Sequence, residues 1–395
     1  DSMKLRYPNL ITQKQVVSNT LTTVEGRPLY YVKISDNPDA DESEPEILYT
    51  ALHHAREPLS ASQLIYYMWY LLENYRKLPA IRSLVDSTEM FFIPCLNPDG
   101  YIYNQTTNPN GGGLWRKNRR NNGDGNFGID LNRNYGYKWG YDNIGSSPYT
   151  YSDTYRGTAP FSEAETQIVR DFCNQHSFKY ALNNHTYGNV LVLPYSYGTK
   201  TFTPDSAEYS DDAQNLVKCN GFSYGIAIQT VGYTANGDSD DWMYGEQGSK
   251  PKIFAFTPET GSPLDGFWPG KNRIIPLCRA NLDMNLTAAT LTKESAYPPV
   301  AEIISKKNIS ATIMQCTPNP AGNYTNISFS IPQNIKGNWQ LKIADGAGAV
   351  LKTIALNSNN KTISVSTSQL HAGLYYCSIS NGNTVSNVMK LFVVK

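Results

Sequence analysis

The pattern of apolar residues changes near residue 297, and this change constrains the fold more than any other feature. Up to that point, buried β-type runs alternate with segments of helical periodicity, whereas after about residue 313 only short β runs remain, separated by Asn, Gly and Ser. Strand-helix alternation predicts an α/β sheet covered by helices on both faces, and short regular β runs predict a sandwich. We therefore predict an α/β domain over 1–297, a linker over 298–312 and a small all-β sandwich over 313–395.

Individual segments of the first domain support this division. The run EILYTAL (46–52) reads as a buried strand, and residues 60–78 show helical spacing with Ser60 as the predicted N-cap. Active sites of such sheets gather beyond the carboxyl ends of the strands. We therefore expect functional side chains directly after the apolar runs.

Charge and hydropathy exclude several classes of partner. Lys plus Arg equals Asp plus Glu at 34 each, so no net field favours nucleic acid. No apolar run approaches the ~18 residues of a membrane span. The first ten residues lack the features of a signal peptide, so either the protein is cytosolic or a leader has been removed.

The six cysteines include no C-x-x-C pair, which argues against zinc-finger and thioredoxin-type sites. Buried free thiols fit most of them. A bridge between Cys316 and Cys377 also fits, because both lie in the C-terminal segment. The sequence does not decide between these alternatives.

Two of the five histidines follow the strand EILYTAL directly, in the run LHHAREP. His54 and Glu57 are three residues apart, a spacing with which a tight turn can point both side chains at one ion. Imidazole and carboxylate are zinc ligands, and a catalytic zinc site keeps one position open for water. A lone H-x-x-E occurs often by chance, so this spacing alone is a weak signal.

The residues around His54 and Glu57 strengthen this signal, because HHAREP resembles the zinc motif of the metallocarboxypeptidase family. The family has a third ligand at another strand end, and NNHTYG supplies His185. The resemblance implies a mixed central sheet and one zinc ion held by His54, Glu57 and His185, with His53 as a neighbour only. It also implies cis peptides at Thr186-Tyr187 and Pro194-Tyr195.

Two arginine-containing segments, LWRKNRRNN and FGIDLNRNYG, also resemble family segments. An enzyme that removes C-terminal residues must recognise a free carboxylate, which suits the planar fork of arginine. The resemblance implies that Asn132 and Arg133 bind this carboxylate. It further implies that Arg119 stabilises the oxyanion and that Asp130 accepts a hydrogen bond from His54.

The remaining catalytic and substrate-binding residues also come from the resemblance. In FAFTPETGS, Glu259 would be the general base, taking a proton from the attacking water and returning it to the leaving amine. Tyr233, in GYTANGDSDDW, would close over the substrate as part of a lid. Residues expected along the substrate site are Arg56 and Arg116 in the outer subsites, and Tyr187.

The same loop carries two residues that bear on specificity. Its variable position before Asp-Trp is Asp240, where family members that prefer Lys or Arg have aspartate. A buried aspartate pairs with a cation and is left unpaired opposite an apolar group. We therefore predict a preference for C-terminal Lys and Arg. Asp238 matches an acidic position of a bacterial member with mixed specificity, so broader acceptance stays open.

A calcium site is a further hypothesis. The stretch SDNPDADESEPEILYTALHHARE resembles that of a thermostable bacterial member which holds calcium nearby, and its carboxylates suit this ion. They are Asp36, Asp39, Asp41, Glu42 and Glu44. A solvated acidic loop is an equal alternative, and residues 121–128 are a weaker candidate.

The last segment resembles the C-terminal sorting domain of the Bacteroidetes type IX secretion system. The matching pieces are Asn319-Pro320, the Leu370–Tyr376 element and the terminal KLFVVK. This implies a secreted or cell-surface bacterial protein that interacts with the type IX machinery. An accessory β-sandwich that binds substrate or cell wall is the alternative.

Together these resemblances predict a secreted, monomeric zinc metallocarboxypeptidase acting on peptide or protein C-termini. One rival is a peptidoglycan-peptide hydrolase of the same fold, which cleaves a γ-glutamyl bond to diaminopimelate. A second rival is a non-catalytic binding protein that kept the fold. The presence of ligands, base, arginines and tyrosine together disfavours the second.

Overall fold

A computed structural model describes residues 1–296, 312–331, 338–345, 350–357, 361–381, 386 and 389–394. The chain divides into two compact units, one holding nearly all of residues 1–296 and the other the chain after residue 297. The predicted linker 298–312 lies, apart from its last residue, outside the described residues. Each unit is considered by itself.

The first unit alternates strands and helices. Its strands are β1 (Gln15–Val16), β2 (Tyr30–Ile34), β3 (Glu46–Ala51), β4 (Glu89–Ile93), β5 (Phe178–Asn184), β6 (Val190–Leu193), β7 (Ser223–Ile226) and β8 (Phe254–Glu259). Its helices are α1 (Ser2–Arg6), α2 (Pro58–Asn74), α3 (Pro79–Val85), α4 (Pro98–Thr107), α5 (Ala164–Gln175), α6 (Ser206–Leu216), α7 (Ala227–Thr230), α8 (Ser239–Gly245), α9 (Lys271–Ala280) and α10 (Leu282–Ala296), with a 3₁₀ turn at Leu131–Arg133.

Within residues 1–296 the strands form one mixed sheet in the order β1-β2-β4-β3-β5-β8-β6-β7. The central strands β4, β3, β5 and β8 run parallel to one another. Strand β2 joins β4 antiparallel, and β6 joins β8 antiparallel. The predicted mixed α/β fold is confirmed.

Neighbouring residues of β3 show how both faces of the sheet are covered. Leu48 belongs to a core cluster with Phe172 of α5 and Trp242 of α8. Tyr49 points the opposite way, where its ring packs on Tyr67 of α2 and its hydroxyl donates to a backbone carbonyl of α10. Because side chains alternate across a strand, this fully buried strand must be covered on both sides.

Helix α2 begins earlier than predicted. Glu57 is its N-cap and Pro58 its first residue, while the Ser60 hydroxyl donates to the Glu57 carbonyl at 2.6 Å. Proline is well suited to the first helical position because its missing N–H would have no partner there. The helix therefore starts immediately after a predicted metal ligand.

The second unit is built from antiparallel strands, as predicted. They are β9 (Thr312–Thr317), β10 (Tyr324–Ser330), β11 (Gln340–Ala344), β12 (Val350–Ala355), β13 (Thr362–Ser366), β14 (Gly373–Ser380) and β15 (Met389–Val393). Among the residues described in this unit, one sheet has the order β13-β10-β9 and the other β12-β11-β14-β15. Inward residues of both sheets, such as Phe329 and Ile343, share one buried core.

Over the ranges that the structure describes, no helix combines the length and apolarity needed to cross a bilayer.

Candidate active site

The carboxyl ends of the central parallel strands bring the predicted functional residues together. Strand β3 ends at Ala51, just before His54, and β5 ends at Asn184, just before His185. Strand β8 lies beside β5 and ends at Glu259, which forms a bridge with His185. Parallel neighbours end at the same edge of a sheet, so three segments distant in sequence meet at one point.

His54, Glu57 and His185 converge tightly. Nδ1 of His54 lies 2.8 Å from Oε1 of Glu57, and Nδ1 of His185 lies 2.9 Å from Oε2 of the same carboxylate. The two Nδ1 atoms are 3.0 Å apart, and the three residues are buried. Two ring nitrogens and a carboxylate aimed at one point form a three-ligand group.

Asp130 determines which nitrogen of His54 faces this point. Its Oδ1 lies 3.2 Å from Nε2 of His54, while Arg116 donates to its Oδ2 through Nε and Nη2 at 3.0 and 2.8 Å. Burial opposes ionisation of Asp130, but Arg116 and His54 hold its pKa well below the usual range. An ionised Asp130 keeps the proton on Nε2 and leaves the Nδ1 lone pair available to a metal.

This donor set fits zinc. Catalytic zinc is held by three protein ligands of imidazole and carboxylate type, with a fourth position for water or substrate. Nδ1 of His54, Nδ1 of His185 and the Glu57 carboxylate lie close enough together to bind one divalent ion.

A cavity of about 420 Å³ opens beside these ligands. His54, His185 and Glu259 line it together with Arg116 and Arg133. Burial, and then the nearby Glu57, raises the pKa of Glu259 well above its ordinary value. The predicted base and the ligands therefore share one cavity with two arginines.

Asn132 and Arg133 follow Asp130 on the 3₁₀ turn and are held rigidly. Arg133 donates from Nε to the carbonyl of Gly145 at 2.8 Å and from Nη1 to the carbonyl of Asn132 at 2.7 Å. The Asn132 Oδ1 accepts from the backbone N–H of Ser239 at 2.9 Å, which directs its Nδ2 group elsewhere. Both residues line the cavity.

The predicted lid loop lies against this arginine. Tyr233 lines the cavity but keeps 51% of its surface exposed. Gly232 and Gly237 flank the loop with φ of +81° and +72°. A Cβ on Gly237 would lie 2.6 Å from the carbonyl oxygen of Arg133, so only glycine allows this approach.

Asp238 and Asp240 line the same cavity from α8 and its N-cap. Asp240 is 2% exposed and accepts a hydrogen bond from Asn183 at 2.7 Å. Burial and then Asp238 raise the pKa of Asp240 to about 8, and burial raises that of Asp238 to about 6. Two neighbouring carboxyl groups thus line the cavity, and burial opposes the ionisation of both.

The structure contradicts the role predicted for Arg119. Its guanidinium lies over Tyr103, Trp115 and Phe127, at 3.8, 4.6 and 5.1 Å from the ring centroids. It does not line the cavity, whereas Arg116 does, with Nη1 4.0 Å from Oε1 of Glu57. Arg116 therefore holds the position at the ligands that was predicted for Arg119.

Arg56 and Arg116 line an adjoining cavity of about 680 Å³, together with Asp153. The Arg56 guanidinium lies over Phe267 at 4.3 Å, and Tyr187 packs edge-on against the same ring. Asp153 and Phe267 were not identified from the sequence. They belong to irregular segments without a motif.

The acidic loop forms two clusters. The carboxylates of Asp36, Glu42 and Glu44 lie within 4.8 Å of one another, and a second group has the same spacing at Asp41, Glu46 and Glu89. Asp39 instead pairs with Lys4 at 3.2 Å. Segment 121–128 contributes to no such cluster among the residues described.

The two predicted cis peptides, Thr186-Tyr187 and Pro194-Tyr195, are both present.

Comparison with known proteins agrees with this geometry. Residues 1–284 match the model of the zinc carboxypeptidase family, and residues 316–395 match that of the secretion system C-terminal sorting domain. The chain is 34% identical over 284 residues to carboxypeptidase A4 of Mus musculus, covering 70% of this chain and 64% of that protein. It is 31% identical over 305 residues to carboxypeptidase A1 of Mus musculus, covering 75% and 68%.

Several of these relatives are longer than the matched region. The match to carboxypeptidase A2 of Rattus norvegicus, at 34% identity over 252 residues, covers 62% of this chain and 57% of that protein. Among solved structures, that of thrombin activatable fibrinolysis inhibitor matches with a TM-score of 0.65 and 28% identity, covering 74% of this chain and 72% of that one. The chain therefore belongs to the zinc carboxypeptidase family and ends in a secretion sorting domain.

Proposed function

We propose that residues 1–297 form a zinc carboxypeptidase that hydrolyses the C-terminal peptide bond of peptides. The observation that carries this proposal is that Arg133 lines the same cavity as His54, His185 and Glu259. A guanidinium suits a terminal carboxylate, and its position near a metal-ligand group places the adjacent peptide bond there.

The residues have separate roles in this proposal. Arg133 and Asn132 bind the terminal carboxylate, with Tyr233 closing over it. Glu259 accepts a proton from water and returns it to the leaving amine, a role that its raised pKa suits. Arg116, already paired with Asp130, donates to the carbonyl oxygen as negative charge develops there.

A zinc ion held by His54, Glu57 and His185 would supply Lewis acidity and lower the pKa of water to about 7. Asp130 maintains the tautomer of His54 that such binding needs. Arg56, Arg116 and Tyr187 would line the outer subsites.

A Glu259→Gln variant tests the mechanism. We expect it to retain zinc and fold but to lose about 10³-fold in kcat, because the group that accepts the proton from water is removed. Glu73→Gln, an exposed change on α2, is the matched control. Full activity of Glu259→Gln would remove the assigned mechanism, and equal hydrolysis of C-terminally amidated peptides would remove the proposed exopeptidase function.

We further propose a preference for C-terminal Lys and Arg. The support is that Asp238 and Asp240 line the cavity, where burial, and for Asp240 also the neighbouring Asp238, raises their pKa values and a cationic side chain would favour their charged forms. A comparison of peptides ending in Lys, Arg, Phe and Leu tests this. A clear advantage for Phe would contradict it, while comparable rates would indicate the broader specificity. Wall peptides containing γ-glutamyl-diaminopimelate belong in the same assay, since their selective hydrolysis would favour the rival hydrolase.

For residues 313–395 we propose a sorting function in type IX secretion, which makes the protein a secreted or cell-surface one. The family match over 316–395 supports this. The amount of protein recovered outside the cell tests this proposal. Deletion of residues 313–395 is expected to leave the catalytic domain inside the cell. Retention of the β-sandwich on the exported enzyme, with binding to substrate or wall, would favour an accessory domain.

Calcium binding at the acidic loop stays a proposal. It is supported by the spacing of Asp36, Glu42 and Glu44 and by burial and neighbouring carboxylates, which raise the pKa of Glu44 to about 7. Adding calcium to zinc-loaded protein is expected to raise its melting temperature, and Glu44→Gln is expected to abolish that increase. If calcium does not change the melting temperature of the unaltered protein, the acidic loop is a solvated loop that binds no calcium.

A further inference from the structure

Two cysteines of the C-terminal unit face each other across its core. Cys316 lies on β9 opposite Ile327 of β10, and Cys377 lies on β14 opposite Ile343 of β11. These strands belong to different sheets. Both cysteines are buried, with 6% and 0% of their surface exposed, and both belong to the single core cluster between the sheets.

The two side chains also hydrogen-bond to each other. Contact between two buried thiols of opposite sheets satisfies the first geometric requirement of a bridge, because Cβ atoms must already approach closely.

We propose that Cys316 and Cys377 form a disulfide that joins the two sheets of the sandwich. The oxidant is a protein or small-molecule disulfide met during export. One thiolate attacks it, its sulfur–sulfur bond breaks, and the second cysteine resolves the mixed disulfide. The Sγ–Sγ bond forms, the oxidant leaves as two thiols, and the two cysteine protons pass to those thiols or to solvent.

Burial sets the order of events. An oxidant cannot reach sulfurs enclosed between two sheets, so the bond must form before the sandwich closes. Once formed, it lies out of reach of reductants too. A small β-sandwich has a limited core, and a bridge between distant strands stabilises it mainly by restricting the unfolded chain.

Alkylation under denaturing conditions tests the bond directly. The full-length chain should be collected into acid from the envelope of exporting cells, before any removal of residues 313–395, then denatured and alkylated without reductant. We expect four alkylated cysteines, at Cys95, Cys173, Cys219 and Cys278, and one linked peptide pair containing Cys316 and Cys377. Alkylation of both Cys316 and Cys377, or linkage of either to another cysteine, would overturn the proposal.

Amide hydrogen exchange on the full chain tests the consequence. Oxidised protein is expected to exchange at least about tenfold more slowly in β9 and β14 than protein refolded under reductant, with residues 1–296 unchanged. A Cys316→Ala/Cys377→Ala double variant should exchange at the rate of the reduced protein, and reductant should not change that rate. Cys219→Ala, a change at an exposed site, should exchange at the rate of the oxidised protein. Equal exchange of the oxidised and reduced chains would contradict the stabilising role.

A second, independent observation concerns the adjoining cavity of about 680 Å³. It shares Arg116, Arg133 and Tyr233 with the cavity at the candidate metal ligands and therefore lies directly beside it. Asp153 lies on its lining with 69% of the side chain exposed, and its Oδ2 accepts from Nη1 of Arg56 at 3.3 Å. The cavity thus presents one carboxylate among several arginines.

We infer that Asp153 is a specificity-determining residue for the substrate residue upstream of the scissile bond. The inference rests on the proposed function, because this neighbouring cavity is where an extended peptide would lead away from the metal ligands. Arg56 and Arg116 alone would make this region attract acidic side chains. Asp153 offsets that charge and, being exposed, can pair with a Lys or Arg of the substrate.

Three peptides that share a C-terminal residue and carry Lys, Gln or Glu before it test this inference. In Asp153→Asn we expect the Lys-to-Glu ratio of kcat/KM to fall about fivefold at low salt, with less change at high salt. In Asp153→Asn, kcat/KM for the Gln peptide should change by no more than about twofold. In Asp171→Asn, a control on α5, kcat/KM should change by no more than about twofold for every peptide. An unchanged ratio, or an equal loss on all three peptides, would overturn the assignment. No hydrolysis of any peptide by the unaltered enzyme would overturn the proposed function itself.

Discussion

Arg116 donates two hydrogen bonds to a single oxygen of Asp130, at 3.0 and 2.8 Å. The other oxygen of Asp130 meets Nε2 of His54 at 3.2 Å. One buried carboxylate therefore joins an arginine that faces the cavity to a ligand of the metal group. A change at Asp130 would therefore affect both His54 and Arg116.

Replacing Asp130 with asparagine should weaken this coupling. The amide no longer holds the proton on Nε2 of His54, so we expect zinc affinity or activity to fall about 10–100-fold. Competition with a chromogenic chelator measures the affinity. Asp124→Asn, at an exposed site, is the control and should bind zinc normally. Unaltered affinity and activity in Asp130→Asn would show that the tautomer is held by other groups.

Arg116 and Arg119 should respond differently to substitution by lysine. Arg116→Lys is expected to lose about 10²–10³-fold in kcat, because a donor to the developing oxyanion is displaced. Arg119→Lys should keep kcat but lower the free energy of unfolding by about 1 kcal/mol, since its stacking on three rings is weakened. Steady-state kinetics and denaturant titration measure the two effects, and the reverse pattern would restore the role first predicted for Arg119.

Selectivity for basic residues should depend on pH. Burial and Asp238 raise the pKa of Asp240 to about 8, so this carboxyl is neutral below that pH and charged above it. The ratio of kcat/KM for Arg-ending over Phe-ending peptides is expected to increase as pH rises from 6 to about 9. In Asp240→Asn the ratio should be lower and nearly flat. A ratio that falls with rising pH would contradict the assignment.

The two glycines of the lid loop provide a matched pair of variants. Both have positive φ, but an added Cβ at Gly237 would meet the Arg133 carbonyl at 2.6 Å, whereas nothing lies within 4 Å at Gly232. Both alanine substitutions introduce backbone strain, but only Gly237→Ala is expected to displace the carboxylate-binding segment. We expect KM to rise about tenfold or more in Gly237→Ala and to change little in Gly232→Ala. Similar KM values in both would indicate that strain alone matters.

Much of the site could be predicted because its residues follow strands. Strands β3, β5 and β8 are apolar runs, and the ligands and base stand at or just beyond their ends. Parallel neighbours bring such ends together whatever the sequence distance between them. The two cis peptides could be predicted from the family resemblance, since each follows a recognisable strand end.

Irregular segments were less predictable. Residues 108–130 contain no helix or strand, so no periodicity shows which way Arg116 and Arg119 point. A buried carboxylate draws Arg116 inward, and three aromatic rings hold Arg119 outside. Asp153 and Phe267 lie in similar segments. Only the tertiary fold of these segments brings the two residues to the substrate region.

The sequence by itself therefore determined the fold class through strand periodicity, and its resemblance to the family identified the candidate metal-ligand group and two acidic residues of the cavity. Only the tertiary structure decided which arginine faces the cavity, which carboxylates cluster in the acidic loop, and that Cys316 meets Cys377. Each of these depends on contacts between segments far apart in the chain. Local propensity carries no information about such contacts, whereas packing into a shared core determines them.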